Sequence, residues 1–181
     1  NLRKKYNISK NAFVLGSFQR DTEGSDLISP KLSKGPDQFL EIVSYFNTKH
    51  DDLIVILTGK RRNYLINEFN KNKIQYKYIE MANFEKINDL YNILDLYIVS
   101  SRYEGGPQSI LECAASKTPI ISTDVGIARE ILNEKSIFDM NNFKFAKPDT
   151  EYAHKRVKNL FIPSGFKAYN EILGEMSWKS V

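Results

Sequence analysis

Cysteine is almost missing from this chain. Cys113 is the only one in 181 residues, so no internal disulfide can form and a cross-linked secreted scaffold is disfavoured. Apolar runs are short, and none approaches the ~18 residues of a membrane span. Histidine is scarce as well. His50 and His154 stand apart, without the partner set that a metal site needs, and both read as surface residues. No G-x-G-x-x-G follows the first apolar run; Gly16-Ser17-Phe18-Gln19 stands there instead, which argues against a dinucleotide-binding domain. That position also lacks the clustered aspartates of a response-regulator-like module. Repeats and low-complexity tracts are missing. The first residues, Asn1-Leu2-Arg3-Lys4-Lys5-Tyr6, have no initiator methionine and no apolar core, so they are not a signal peptide. They read as a cut inside a longer chain, with Leu2 and Tyr6 at helical spacing.

What is present suits one folded domain, since domains typically take ~100–200 residues. Hydrophobic residues make up 41% and charged residues 27%, which excludes a disordered, collagen-like or membrane class. The net charge of +4 is mildly basic and fits a phosphate-bearing ligand as well as an ordinary solvated surface. Nothing in it calls for nucleic acid.

Short apolar runs alternate with amphipathic stretches. Ala12–Gly16, Leu53–Thr58, Gln75–Glu80, Leu94–Ser100 and Pro119–Ser122 read as strands, with Ser136–Phe138 as an edge strand. The second and fourth are nearly continuous hydrophobic runs, the pattern of parallel strands buried on both faces. Asp37–Asn47, Asn63–Asn72, Phe84–Ile93, Ser109–Ser116 and Val125–Leu132 read as helices, the last one capped by Asp124. The order predicts a Rossmann-like α/β domain with a mostly parallel sheet flanked by helices. Its core covers residues 11–148. Two further helices, Thr150–Leu160 and Ser164–Met176, follow in residues 150–177. Gln19–Ser33 is polar and far longer than the ~2–6 residues that usually join strand to helix, so it reads as an insertion or flap.

In an open α/β sheet, ligands bind beyond the carboxyl ends of the strands. The loop after the fourth strand, Ser101-Arg102-Tyr103-Glu104-Gly105-Gly106-Pro107, is the richest there. Its glycines let a ligand approach the backbone, and the helix start offers the amides of Gln108, Ser109 and Ile110 to an anion such as phosphate. Glu112 follows Glu104 by eight positions. With 12 glutamates in the chain, one such pair arises about once by chance, so context must carry it. The helix is otherwise apolar or small, which places an acid near a buried surface, where it needs donors; sugar hydroxyls would serve. Cys113 on that helix reads as core rather than nucleophile.

These residues resemble a family. Ser101–Ala114 (SRYEGGPQSILECA) is similar to the E-x7-E region of GT4-type (group 1) retaining glycosyltransferases. Ala115-Ser116-Lys117-Thr118-Pro119-Ile120-Ile121-Ser122-Thr123 resembles that family's A-x-G-x-P-V-I-A-T segment, without its glycine. Asp124-Val125-Gly126-Ile127-Ala128-Arg129-Glu130-Ile131 resembles the G-G-x-x-E-I continuation, Leu90–Ile98 resembles L-Y-x-x-A-D-L-F-V, and Lys34-Gly35 resembles the pair that opens the first helix. Gly106-Pro107 stands where many members have an aromatic residue and glycine. The resemblance covers residues 12–132. It implies the C-terminal, donor-binding half of a GT-B enzyme, binding a nucleoside-diphosphate sugar with no metal and no cofactor.

By the same resemblance Glu112 binds the ribose hydroxyls and Glu104 the transferred sugar. The backbone at Gly105, Gly106, Gln108, Ser109 and Ile110 holds sugar and diphosphate, with Gly16 at the end of the first strand. Arg20 and Lys34 neutralise the leaving diphosphate, with Gln19 an alternative to Arg20. Glu80 and Met81 border the base. The resemblance also implies an upstream domain, outside this chain, for a glycan, lipid or protein acceptor, and a cytoplasmic location with peripheral membrane contact left open. The helix Ser164–Met176 would return to that domain, its Phe166, Tyr169, Ile172 and Leu173 facing a partner, and Trp178 would serve as an anchor. Two rivals share this architecture: another GT-B-like enzyme, such as a nucleotide-sugar epimerase or a phosphorylase, and a non-catalytic nucleotide-binding α/β module.

Overall fold

A computed structural model describes residues 2–177; Trp178, expected to be an anchor, lies outside them. The elements run α1 (Leu2–Lys5), β1 (Phe13–Ser17), α2 (Pro36–Asn47), β2 (Leu53–Thr58), α3 (Asn63–Asn72), β3 (Tyr76–Ile79), α4 (Phe84–Ile93), β4 (Leu96–Val99), α5 (Gln108–Ser116), β5 (Ile120–Thr123), α6 (Ala128–Ile131), β6 (Ile137–Phe138), α7 (Thr150–Val157) and α8 (Lys167–Ser177). The six strands form one sheet in the order β3-β2-β1-β4-β5-β6, and all its pairings are parallel. The sheet is therefore fully rather than mostly parallel.

Alternate strand residues point to opposite faces, and both faces are buried. Val14, Ile56, Tyr97 and Ile120 face α4, α5, α6 and α7, where they meet Leu90, Ile110, Cys113, Ala128 and Val157. Their neighbours Leu15, Val55, Ile98 and Ile121 face α2 and α3, against Phe39, Ile42, Leu65 and Phe69. This explains why the strand sequences read as continuous apolar runs. At the centre, Asp95 joins two strands, its carboxylate accepting from the Val14 amide at 2.8 Å while its own amide donates to Val14 O at 2.9 Å.

The expected elements all form; β2, α3 and α4 keep the expected ends, and the others shift. The helix expected over Val125–Leu132 shrinks to α6, and Asp124 does not cap it; its carboxylate pairs with Arg129 at 2.6 Å. Gly126 is the cause. Its φ of +50° is not helical, and a Cβ there would lie 2.5 Å from Gly105 O, so the chain turns tightly beneath the Glu104–Gly105 loop. Both tail helices are split, each with a 3-10 turn at one end (Lys158–Leu160 and Ser164–Phe166). The stripe Phe166, Tyr169, Ile172 and Leu173 is exposed at 51–65%. His50 stacks on Phe13 at 3.9 Å and His154 bonds to Ala114 O at 2.9 Å, so neither is a free surface ring.

Lys117 ends α5 with φ +58°, in the left-handed conformation that favours glycine. The missing glycine of the Ala115–Pro119 segment thus has a conformational cost. Its side chain recovers only an exposed pair with Glu151. Lys117→Gly is expected to raise unfolding free energy by about 0.5–1 kcal/mol in urea melts; an unchanged or lower stability would mean that the ion pair outweighs the backbone strain.

Candidate active site at the ends of β1 and β4

The order of strands reverses between β1 and β4, and the loops that follow them diverge over a cleft of about 320 Å³. Its walls include Phe18 and Gln19 after β1, Ile87 and Tyr91 of α4, Glu104 and Pro107 after β4, and Gln108, Ser109 and Glu112 of α5. Tyr97 lies beneath. Phe18 packs on Tyr91 and Tyr97 with ring centroids 4.9 and 5.2 Å apart, and its amide donates to Tyr97 Oη at 2.9 Å. The floor is thus aromatic, while the lining of the cleft is polar and apolar in about equal measure.

Glu112 departs from expectation in one respect. It is exposed on α5 rather than near-buried, because it sits on the helix side that faces the cleft. Its carboxylate is held nonetheless: Tyr91 Oη donates to Oε2 at 2.6 Å. Of the α5 amides, those of Gln108 and Ser109 open the helix with Pro107 at the cap, and no side chain caps them. Ile110 N–H instead donates to Pro107 O at 3.0 Å and its side chain is buried, so it is not an anion donor here.

On the other wall, Lys34 Nζ bonds to Glu104 Oε1. Ser101 Oγ donates to the second carboxylate oxygen at 2.6 Å, and Gln19 Nε2 donates to Lys34 O at 2.9 Å. Glu104 and Lys34 are both partly buried, so this charge pair is shielded. Three features bring Lys34 there. Gly35 takes φ +61° against Ser100, whose carbonyl would sit 1.7 Å from any Cβ. Arg102 grips Asp37 through two bonds of 2.6 and 2.8 Å and also donates to Leu32 O. The amides of Arg102 and Tyr103 donate to Ser33 O.

The long Gln19–Ser33 segment therefore does not part Arg20 from Lys34. Residues 21–31 form a closed excursion: Lys31 N donates to Asp21 O at 2.8 Å, and Thr22 bridges Pro30. Both cations line one crevice with Ser17 and Ser100. Arg20 is exposed and makes no side-chain bond among the described residues, whereas Lys34 is committed to Glu104.

Sequence reasoning missed what anchors that excursion. Asp21 and Arg62 form an ion pair at 3.3 Å with both side chains almost wholly buried. Arg62 Nη2 also donates to Ser17 Oγ at 3.3 Å, while its Nε and Nη1 have no hydrogen-bond partner among the described residues. Burial pushes the Asp21 carboxyl up to about 6, against the opposing pull of Arg62 and of the Tyr64 and Leu65 amides. The only sequence signal was that each residue follows one of two strands that turn out to be adjacent, which becomes visible only once the pairing of β1 with β2 is known.

Other expected residues lie elsewhere. Gly16 is inside β1, where a Cβ would meet Leu94 Cδ1 at 2.3 Å; packing rather than a ligand explains it. Gly105 and Gly106 have ordinary φ, and a Cβ on either would meet nothing within 4 Å, so the space beside them is open. Glu80 and Met81 are exposed on the β3–α4 loop and do not line the cleft. Cys113 is buried, as expected of core. Among the described residues, no group of three or more His, Cys, Asp or Glu side chains converges as a metal site would.

Comparison with known proteins places the chain. The sequence model of the family described as "Glycosyl transferases group 1" matches residues 28–164, and the chain belongs to that family. Among solved structures, a glycosyltransferase from Rickettsia africae ESF-5 superposes with a TM-score of 0.70 at 21% identity, over 98% of this chain and 51% of that one. Sucrose-phosphate synthase from Thermosynechococcus elongatus gives 0.68 at 18%, over 97% and 47%. Anabaena Alr3699/HepE, solved in complex with UDP-glucose, gives 0.68 at 16%, over 96% and 51%. No curated protein matches the chain. The chain spans about half the length of these structures, and its sheet is the Rossmann-like half of the GT-B fold they share.

The Asp21–Arg62 pair yields a stability test. The native state holds the Asp21 proton more tightly than the unfolded chain, so this group's contribution favours folding at low pH and is lost as pH rises through about 6. Arg62→Met leaves the carboxylate buried alone and is expected to cost about 3–5 kcal/mol at pH 7.5. The deficit narrows as pH falls toward 6, because without the pull of Arg62 the buried carboxyl takes up its proton at a higher pH than in the wild type. Denaturant melts at pH 7.5 and 5 check this; a deficit that is small, or the same at both, contradicts it.

Proposed function

We propose that this chain is the donor half of a GT4-type retaining glycosyltransferase. It binds a nucleoside-diphosphate sugar in the β1/β4 cleft and presents the sugar to a glycan, lipid or protein acceptor held by a second domain. The observation that carries this reading is that Glu104 with Lys34 on one wall, and Glu112 beside the open amides of α5 on the other, share one cleft at the point where strand order reverses. UDP-glucose, present in the Anabaena structure, belongs to the ligand class that such a cleft suits.

The roles follow from chemistry. The free N–H groups of Gln108 and Ser109, and the helix dipole behind them, favour a diphosphate. Arg20 adds an uncommitted cation. Lys34 is paired with Glu104. An arriving diphosphate competes for it, and as Lys34 turns to the phosphate, Glu104 is released to accept from sugar hydroxyls. Donor binding thus exchanges one ion pair for another. As the glycosidic bond breaks, negative charge grows on the diphosphate, where Arg20 and Lys34 stabilise it more than in the ground state. The diphosphate is then neutralised by side chains and amides, without a metal. Glu112 takes the ribose hydroxyls. No described helix is long and apolar enough to cross a membrane. In this reading the donor is taken up on the cytoplasmic side, and peripheral membrane contact stays open.

Calorimetry in chelator, comparing a nucleoside with its diphosphate, tests the scheme. Arg20→Ala and Lys34→Ala are each expected to weaken the diphosphate about tenfold at low salt while leaving the nucleoside unchanged. Glu104→Gln frees Lys34, so it binds the diphosphate more tightly, yet it abolishes sugar transfer in the full-length enzyme. Wild-type diphosphate affinity in both cation variants would overturn the reading.

A further inference from the structure

We infer that Tyr91 is a positioning residue that makes Glu112 selective for a ribonucleotide donor. This rests on the reading of Glu112 as the ribose ligand and goes beyond it. A glutamate on an exposed helix face has several rotamers open to it, and fixing one on binding costs conformational entropy. Glu112 is exposed, yet its Oε2 already accepts from Tyr91 Oη at 2.6 Å, while Oε1 has no partner among the described residues. The carboxylate therefore waits with one oxygen anchored and the other open to the cleft that both residues line.

Tyr91 is built to hold that position. The residue is 4% exposed, its ring wedged against Phe18 and Tyr97 with centroids 4.9 and 5.6 Å apart. Its carbonyl accepts from Thr118 Oγ1 at 3.0 Å, which ties α4 to the end of α5. The hydroxyl has Glu112 as its one hydrogen-bond partner among the described residues. Burial raises the phenol well above its ordinary pKa, so it stays a donor throughout the working range. The phenol's one proton goes to the carboxylate and is not offered to the ribose. It removes one lone pair, fixes the plane of the other oxygen, and leaves an acceptor that rewards vicinal hydroxyls over their absence.

Tyr91→Phe keeps the buried ring and removes only the hydroxyl. The test measures, by calorimetry, the affinity of the chain for uridine, guanosine and adenosine diphosphates and for their 2′,3′-dideoxy forms, in wild type, Tyr91→Phe and Glu112→Ala. For the base that binds, the ribo-to-dideoxy affinity ratio is expected to fall about fivefold in Tyr91→Phe and to approach one in Glu112→Ala. Dideoxy affinity should hold steady in Tyr91→Phe. A merely structural tyrosine would weaken both forms alike and leave the ratio unmoved, which overturns the proposal. A higher ratio in Tyr91→Phe, meaning that the phenol competes with the ribose, also overturns it. If the ratio in Glu112→Ala equals that of wild type, the ribose reading itself fails, and the role of Tyr91 fails with it.

Discussion

β1 and β4 lie side by side, but the helices after them leave the sheet on opposite faces. α2 packs with Leu15 and Val55, and α5 packs with Val14 and Tyr97. The two loops must therefore separate, and nothing in the sheet fills the gap between them. The chain after β1 supplies Gln19, Arg20 and Lys34, and the chain after β4 supplies Glu104, Gln108, Ser109 and Glu112. The register Leu15↔Leu96 and Gly16↔Tyr97 sets their depth. Without the reversal, the two glutamates would still be eight residues apart in sequence, but no cation would face them.

Two charge pairs divide the work around this gap. Asp21–Arg62 is nearly inaccessible and pins the excursion that begins and ends beside the cleft. Lys34–Glu104 is only partly buried and borders open space, so a ligand can take over either partner. The first pair is structural because no solvent or substrate reaches it. The second suits exchange because its desolvation is incomplete and its members carry complementary demands: one toward phosphate, one toward hydroxyls.

Much of this was legible in the residues. Continuous apolar strands such as LIVILT and LDLYIVS announced a parallel sheet buried on both faces, and the predicted α3 and α4 ranges coincide with those observed. The Glu104–Glu112 stretch was visible as an unusual loop before a short helix. What escaped depended on long-range geometry. Gly16 looked like a ligand-facing glycine because its clash is with Leu94, far along the chain. Ile110 looked like a free donor because its turn to Pro107 is a backbone detail without side-chain signature. The exposure of Glu112 was hidden because composition shows a helix's average character, not which side faces a cleft. Tyr91 lies in a helix that precedes a strand and Arg62 between a strand and a helix, and neither position by itself marks a role. Their roles appear only when α4 meets α5 and when β1 pairs with β2.

The claim on which the rest turns is that a nucleoside diphosphate occupies the cleft between the ends of β1 and β4. Amide chemical shifts of the 15N-labelled chain, followed during titration with uridine, guanosine or adenosine diphosphate, test it residue by residue. The account predicts that the largest changes fall on Gln108, Ser109 and Glu112 of α5 and on Gln19 and Arg20, with α3 and α7 nearly silent. Changes confined to the tail near Pro163–Glu171, where a separate surface hollow lies, or spread without a centre, would contradict it.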